Sequence, residues 1–222
     1  MDEKSIIKHT IVFVKKTLQH AEGGHDWFHV ERVYKNSLAI AKNQTVDVLV
    51  VSLGALLHDI ADSKFHNGDE TLGPKLATDF LESLNVEQQV IEHVVNIIKN
   101  ISFKSGLPNK KTKSKPFKSL ELDVVQDADR LDAMGAIGIA RAFNYGGFKN
   151  RMLYHPDIKP LEHISQSAYK NSQSPTINHF YEKLLLLKDR MNTLSGKQLA
   201  EQRHKFMQQF LEQFYNEWNG KV

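Results

Sequence analysis

VDVLVVSLGALLHDIA, residues 46–61, holds the longest apolar run of the chain, and its reading decides the fold. The run is apolar almost all round a helical projection, as expected of a central helix buried on every side. It falls short of the roughly 18 apolar residues a membrane span needs, and Asp47, Ser52 and Gly54 interrupt it. It ends in His58-Asp59. A buried aspartate is rare unless it is paired or holds a metal. For this dipeptide alone, a hydrogen-bonded pair anchoring the helix end explains the residues as well as a ligand pair does.

Outward from this helix, the periodicity is helical nearly throughout. Residues 3–20 set Ile6, Ile7, Ile11, Val14 and Leu18 on one stripe, and residues 26–42 do the same with Val30, Val33, Leu38 and Ile40. Residues 68–73 read as a turn, and Pro74 suits the first turn of a helix through residue 84. Asn85 and Val86 open a fifth helix to about residue 101. Residues 118–130 and 132–143 form two helical segments, or one with a bend, that Asn144-Tyr145-Gly146-Gly147 stops. Residues 148–175 are less regular. Two helices, about 177–194 and 197–218, close the chain. No repeat and no clear strand is found. The expectation is an all-α domain of about nine or ten helices spanning residues 1–222.

Composition narrows the class. Hydrophobic residues make up 41% of the 222 and charged residues 25%, ordinary for a soluble domain. No cysteine is present, which removes disulfides and thiolate metal sites. Residues 1–16, MDEKSIIKHTIVFVKK, start acidic and lack a basic-then-apolar leader pattern. A cytoplasmic location and no membrane association are therefore expected. The formal net charge is +3, and much of the excess sits in the lysine-rich stretch 104–118. With no nucleic-acid-binding motif beside it, this stretch reads as a solvated loop rather than an arm for nucleic acid.

Further polar residues stand in apolar surroundings. His25 and His29 lie four apart, with Asp26 between them, so they share a helical face or a helix start. Downstream, Asp127, Asp129 and Asp132 sit among Val124, Val125, Leu131, Ala133 and Ile137. Separate structural roles would need several explanations. A single metal site accounts for most of them.

The order of these pieces, GHDWFHVERV (24–33), LLHDIAD (56–62) and QDADRLDAMGAIGIAR (126–141), closely resembles the HD-domain phosphohydrolase superfamily. The resemblance covers roughly residues 20–150, leaving a helical extension at about 175–220. The wording is most similar to bacterial HD hydrolases that act on nucleotides, including nucleoside triphosphate pyrophosphohydrolases. It implies an HD-type helical bundle and a metal held by His29, His58, Asp59 and Asp129. Asp127 and Asp132 compete for the last place, and Asp132 reads as an outer or helix-anchoring acid.

Two imidazoles and two carboxylates suit manganese, iron, cobalt, nickel or zinc, and magnesium less comfortably. Manganese is preferred on the resemblance. Asp62 shares a helical face with His58 and Asp59, and an acid at this offset assists catalysis in related enzymes, so Asp62 is the candidate general acid or base. Its competing role is a surface acid at the helix end. His25, Lys64, Arg130 and His93 are candidates for contacting a phosphorylated substrate, with a satisfied rim histidine as the other reading of His93. A nucleotide pyrophosphohydrolase is the leading expectation. A 5′-nucleotidase or phosphodiesterase, a di-iron oxygenase and a nucleotide-sensing module are the alternatives. Phe206, Phe210, Phe214 and Trp218, at four-residue spacing, pack on the core or, in a homodimer, on a second copy.

Overall fold

The computed structural model describes residues 1–21, 26–61, 69–101, 117–161 and 174–221. Among them are nine α-helices, one longer 3-10 helix and no strand. The all-α expectation holds. No helix among the described residues is long and apolar enough to cross a membrane. The chain forms two compact units, residues 1–129 and 130–222.

In the first unit, α1 (Glu3–Thr17) starts where the Asp2 carboxylate accepts from the Ser5 amide, and it buries Ile6, Thr10 and Val14. Asp26 caps α2 (Trp27–Ala41) in the same way, accepting from the amide of His29 at 2.9 Å. Asp47 caps α3 (Val48–Leu57) by accepting from Leu49 and Val50. Residues 50–57 of α3 are all buried, and α1, α2 and α5 (Gln88–Asn100) pack around it. The predicted helix over 46–61 thus shortens to Val48–Leu57 and gives way to a turn.

α4 (Leu72–Ser83) and α5 pack against each other. Asn85, expected to open α5, instead closes α4. It takes a left-handed φ of 55°, while Val86 N–H donates to Leu81 and Asn85 N–H to Glu82. Asparagine tolerates that conformation at a helix C-terminus. Gln126 donates its side-chain amide to the Asn100 carbonyl, satisfying the end of α5.

α6 (Leu120–Asp132) ends at a break where Gly135, at φ 67°, starts α7 (Gly135–Phe148). In the second unit α7 packs on α9 (Leu194–Trp218). Residues 144–147 do not stop α7, which runs on to Phe148. Gly146 is buried where a Cβ would sit 2.2 Å from Thr176 Oγ1, so its role is close packing within a helix that tolerates it. The single helix expected over 177–194 is two pieces, α8 (Asn178–Glu182) and a 3-10 helix (Leu184–Arg190). In a 3-10 helix positions three apart share a face, and here Leu184 and Leu187 are buried while Leu186 is exposed. An aromatic ladder fills the unit: Phe143, Phe180, Phe210, Phe214, Tyr154 and Trp218 meet at centroid distances of 5.0–6.2 Å.

Candidate metal centre

Three helices bring polar atoms of the first unit together. Capping by Asp26 fixes the start of α2, so His29, the third helical residue, is buried with its ring facing inward. His58 and Asp59 follow the last residue of α3. Asp129 comes from the last turn of α6. His29 Nε2 lies 3.3 Å from His58 Nε2, 3.5 Å from Asp59 Oδ2 and 3.5 Å from Asp129 Oδ1. His58 Nε2 is 3.6 Å from Asp59 Oδ2 and 4.0 Å from Asp129 Oδ1. Both imidazoles are nearly inaccessible. The Asp129 side chain is 39% exposed, which leaves the cluster one open side.

The protons can be placed from partners. His58 Nδ1 lies 2.8 Å from the carbonyl of Ala55, which can only accept. In neutral imidazole Nδ1 therefore carries the hydrogen, and Nε2 is the lone-pair nitrogen facing the other three residues. This carbonyl–histidine bond is the arrangement by which metal-binding histidines are oriented. The two carboxylates are acceptors as well. Three of the four converging groups thus offer lone pairs, and acceptors this close are satisfied by a cation or by protons. Ligand atoms about 2.1 Å from a shared ion lie roughly 3.0–4.2 Å apart, which the 3.3–3.6 Å separations among His29, His58 and Asp59 match, and Asp129 lies 3.5 and 4.0 Å from the two histidines. The donor set therefore fits a divalent ion.

Other expected site residues go elsewhere. Asp127 is fully buried, and the contact to the two histidines belongs to Asp129. Asp132 is buried within the second unit, where Arg141 donates to its carboxylate. The Arg203 guanidinium donates to the Leu131 carbonyl, and its pKa is lowered by burial against the favourable field of Asp132. Asp132 thus anchors the end of α6. Arg130 donates to the carbonyl of Arg190, also within the second unit. His93 lies 2.9 Å from Ser119 Oγ and 3.4 Å from Glu121 Oε2, edge-on to Phe117. These are the contacts of a satisfied rim histidine. His25, Asp62 and Lys64, and most of the lysine-rich stretch 104–118, lie outside the described residues. Two partners escaped the sequence reading. The Ala55 carbonyl is invisible to it because every residue has one. Glu121 gave no signal because its contacts are distant in sequence.

Comparison with known proteins gives the family. A family model described as HD domain matches residues 27–134. The uncharacterized protein YpgQ of Bacillus subtilis is 38% identical over 208 residues, covering 94% of this chain and 91% of YpgQ. The crystal structure of an HD-superfamily hydrolase from Bacillus thuringiensis is 44% identical, with a TM-score of 0.78 over 98% of this chain and 99% of that one. The structure of B. subtilis YpgQ in complex with ADP is 34% identical, with a TM-score of 0.77 over 98% and 97% of the two chains.

Proposed function

The chain belongs to the HD-domain superfamily of hydrolases, and from that premise we propose that it is a metal-dependent phosphohydrolase acting on nucleotides, releasing pyrophosphate from nucleoside or deoxynucleoside triphosphates. The observation that carries the reading is the convergence of His29, His58 and Asp59 within 3.3–3.6 Å, with Asp129 at 3.5 and 4.0 Å from the two histidines. These four residues would hold the ion, for which manganese is our choice. The ADP bound by the related YpgQ supports a nucleotide as ligand.

When bound, a divalent ion supplies an acidified water and a counter-charge for phosphate oxygens. The chain does the rest. His58 is locked by Ala55 with its lone pair toward the cluster, so no reorientation is needed on binding. The part-exposed Asp129 marks the side from which a phosphate approaches. Asp62, four residues past His58, is our candidate for taking the proton of the attacking water, with His25 and Lys64 as phosphate contacts. Phosphoryl transfer asks mostly for positioning and charge neutralisation, and no covalent nucleophile is required. We also read residues 1–222 as one functional domain, since α6 runs unbroken through residue 129. A cytoplasmic location is part of the same reading.

The test is an assay of metal-stripped protein given manganese, magnesium, cobalt, nickel or zinc with nucleoside mono- and triphosphates. The expected result is manganese-dependent pyrophosphate release from triphosphates, reduced at least about a hundredfold by Asp59→Ala. Phosphate released from monophosphates would assign a nucleotidase instead. An inactive protein under every metal would overturn the reading.

A further inference from the structure

Helices α3 and α6 meet twice. At one end, Asp129 Oδ1 of α6 lies 4.0 Å from His58 Nε2, just past α3. At the other end, the Glu121 carboxylate accepts the backbone amide of Asp47, the cap of α3, at 3.1 Å. Both helices therefore run in the same direction, and their shared C-terminal end carries three of the four donors. Between the two meetings, a Cβ on Gly54 would stand 3.1 Å from Ile97 Cδ1 of α5 and at an ordinary contact distance, 3.6 Å, from Val125 Cγ2 of α6.

Glu121 makes a second contact. Its Oε2 lies 3.4 Å from His93 Nε2 of α5. The same nitrogen lies 2.9 Å from Ser119 Oγ, and Ser119 Oγ accepts the Leu122 amide at the start of α6. The Glu121 side chain is only 13% exposed. One enclosed carboxylate thus joins the N-terminal ends of α3 and α6 to the side of α5. The Asp47–Glu121 contact spans 74 residues of sequence, so it fixes tertiary placement rather than local helix structure.

We propose that Glu121 is a positioning residue for the metal centre: by clamping the N-terminal ends of α3 and α6, it sets the axial register that places Asp129 against His58 and Asp59. The inference rests on the metal-centre reading above. Its physical basis is rigidity. Asp129 lies eight residues beyond Glu121, about 12 Å along a helix that transmits an axial shift with little loss. A slip of one residue's rise, about 1.5 Å, exceeds the tolerance of a coordination sphere, where distances hold within about 0.2 Å. Apolar packing along α3 is non-directional and resists sliding weakly. The hydrogen bond from the Asp47 amide and the His93 contact, both made to one carboxylate, oppose it directionally.

The experiment measures Mn(II) affinity of the full chain by titration against the electron paramagnetic resonance signal of free Mn(II), together with melting temperature in the absence of metal. Glu121→Ala is expected to weaken binding about three- to tenfold, below the roughly 10–100-fold typical of direct outer-shell partners. Glu121→Gln, whose amide oxygen still accepts from Asp47, is expected to recover most of that loss. Leu81→Ala, buried in α4 away from the clamp, is expected to lower the melting temperature while leaving affinity within about twofold. Unchanged affinity in Glu121→Ala, or an equal loss in Leu81→Ala, would overturn the inference alone. Wild-type protein that binds no divalent metal would overturn the metal-centre reading and the clamp with it. Should Glu121→Ala not fold, His93→Phe removes the second contact and is read by the same two outcomes.

Discussion

Residues 1–129 and 130–222 are both helical, yet different side chains hold them. The first unit has an aliphatic heart: Val50, Val51, Leu53, Leu56 and Leu57 of α3 are all buried, with Val94 and Ile97 of α5 and Val124 and Val125 of α6. Its donor cluster and its Glu121 contact stand at the two ends of α3, while Thr10, Ser37, Ser52 and Asp127 are buried within its helices. The second unit is built on rings and charge. Phe180 is completely buried between Phe143 and Phe210, at 6.1 and 5.8 Å, and Asp132 is buried beside Arg141 and Arg203. The first unit gathers its candidate metal donors at or near helix ends. In the second unit the buried charge is spent on holding helix ends together.

The largest effect separating the two is expected from core truncation. Phe180→Ala should destabilise by about 3–5 kcal/mol, and Leu53→Ala by about 2–5 kcal/mol. The chain has a tryptophan in each unit, Trp27 and Trp218, so urea unfolding of Trp27→Phe and Trp218→Phe backgrounds reads them separately. Phe180→Ala should shift the Trp218 transition first and Leu53→Ala the Trp27 transition. Identical shifts in both reporters would show that the contrast in composition has no counterpart in stability.

A smaller difference is expected in acid. Burial, with help from the charges of Lys183 and Arg151, lowers the pKa of His179 to about 3. Below its ordinary value of about 6.5, the unfolded chain takes up a proton that the folded unit refuses. Stability is then fully present above pH 6.5 and declines as pH falls toward 3. The Trp218 transition should move to lower urea over that window, and His179→Gln should flatten the trend. An equal acid slope in His179→Gln would remove His179 as its cause.

The smallest effect is expected at Gly54. Alanine gains about 1 kcal/mol of helix propensity there. It also presses a methyl to 3.1 Å from Ile97 Cδ1 and 3.3 Å from Ile97 Cγ2, a strain of about 1–3 kcal/mol that the Ile97 side chain relieves by turning. The net change in the Trp27 midpoint should stay within about 1 kcal/mol of zero. A loss beyond about 3 kcal/mol would mean that α3 is more tightly hemmed than an aliphatic core requires.

These differences also explain what was legible in the sequence. The apolar run ending in His58-Asp59 announced a buried helix because no surface helix is apolar all round. His29 and Asp129 could be attached to it through the order of motifs, and the helices then brought them within reach. The second unit was harder. Its leucine run 184–187 reads equally as α-helix, and only the three-residue spacing of Leu184 and Leu187 on the core selects the tighter form. Gly146-Gly147 looked like a stop because a close approach to Thr176 cannot be seen locally. His93 looked chemically available because its partners, Ser119 and Glu121, arrive from more than 25 residues away.

The direction of α3 has a consequence in terms of field. α3 carries about half a negative charge at its C-terminus, beside His58 and Asp59, while α6, running the same way, ends three residues past Asp129, where Arg203 donates to the Leu131 carbonyl. The start of α2 adds about half a positive charge beside His29. With the carboxylates of Asp59 and Asp129 ionised, the balance is strongly negative. Such a field favours a cation over a phosphate. A divalent cation would offset most of that charge, so in the function proposed above the phosphates of a nucleotide would meet far less repulsion once the ion is in place.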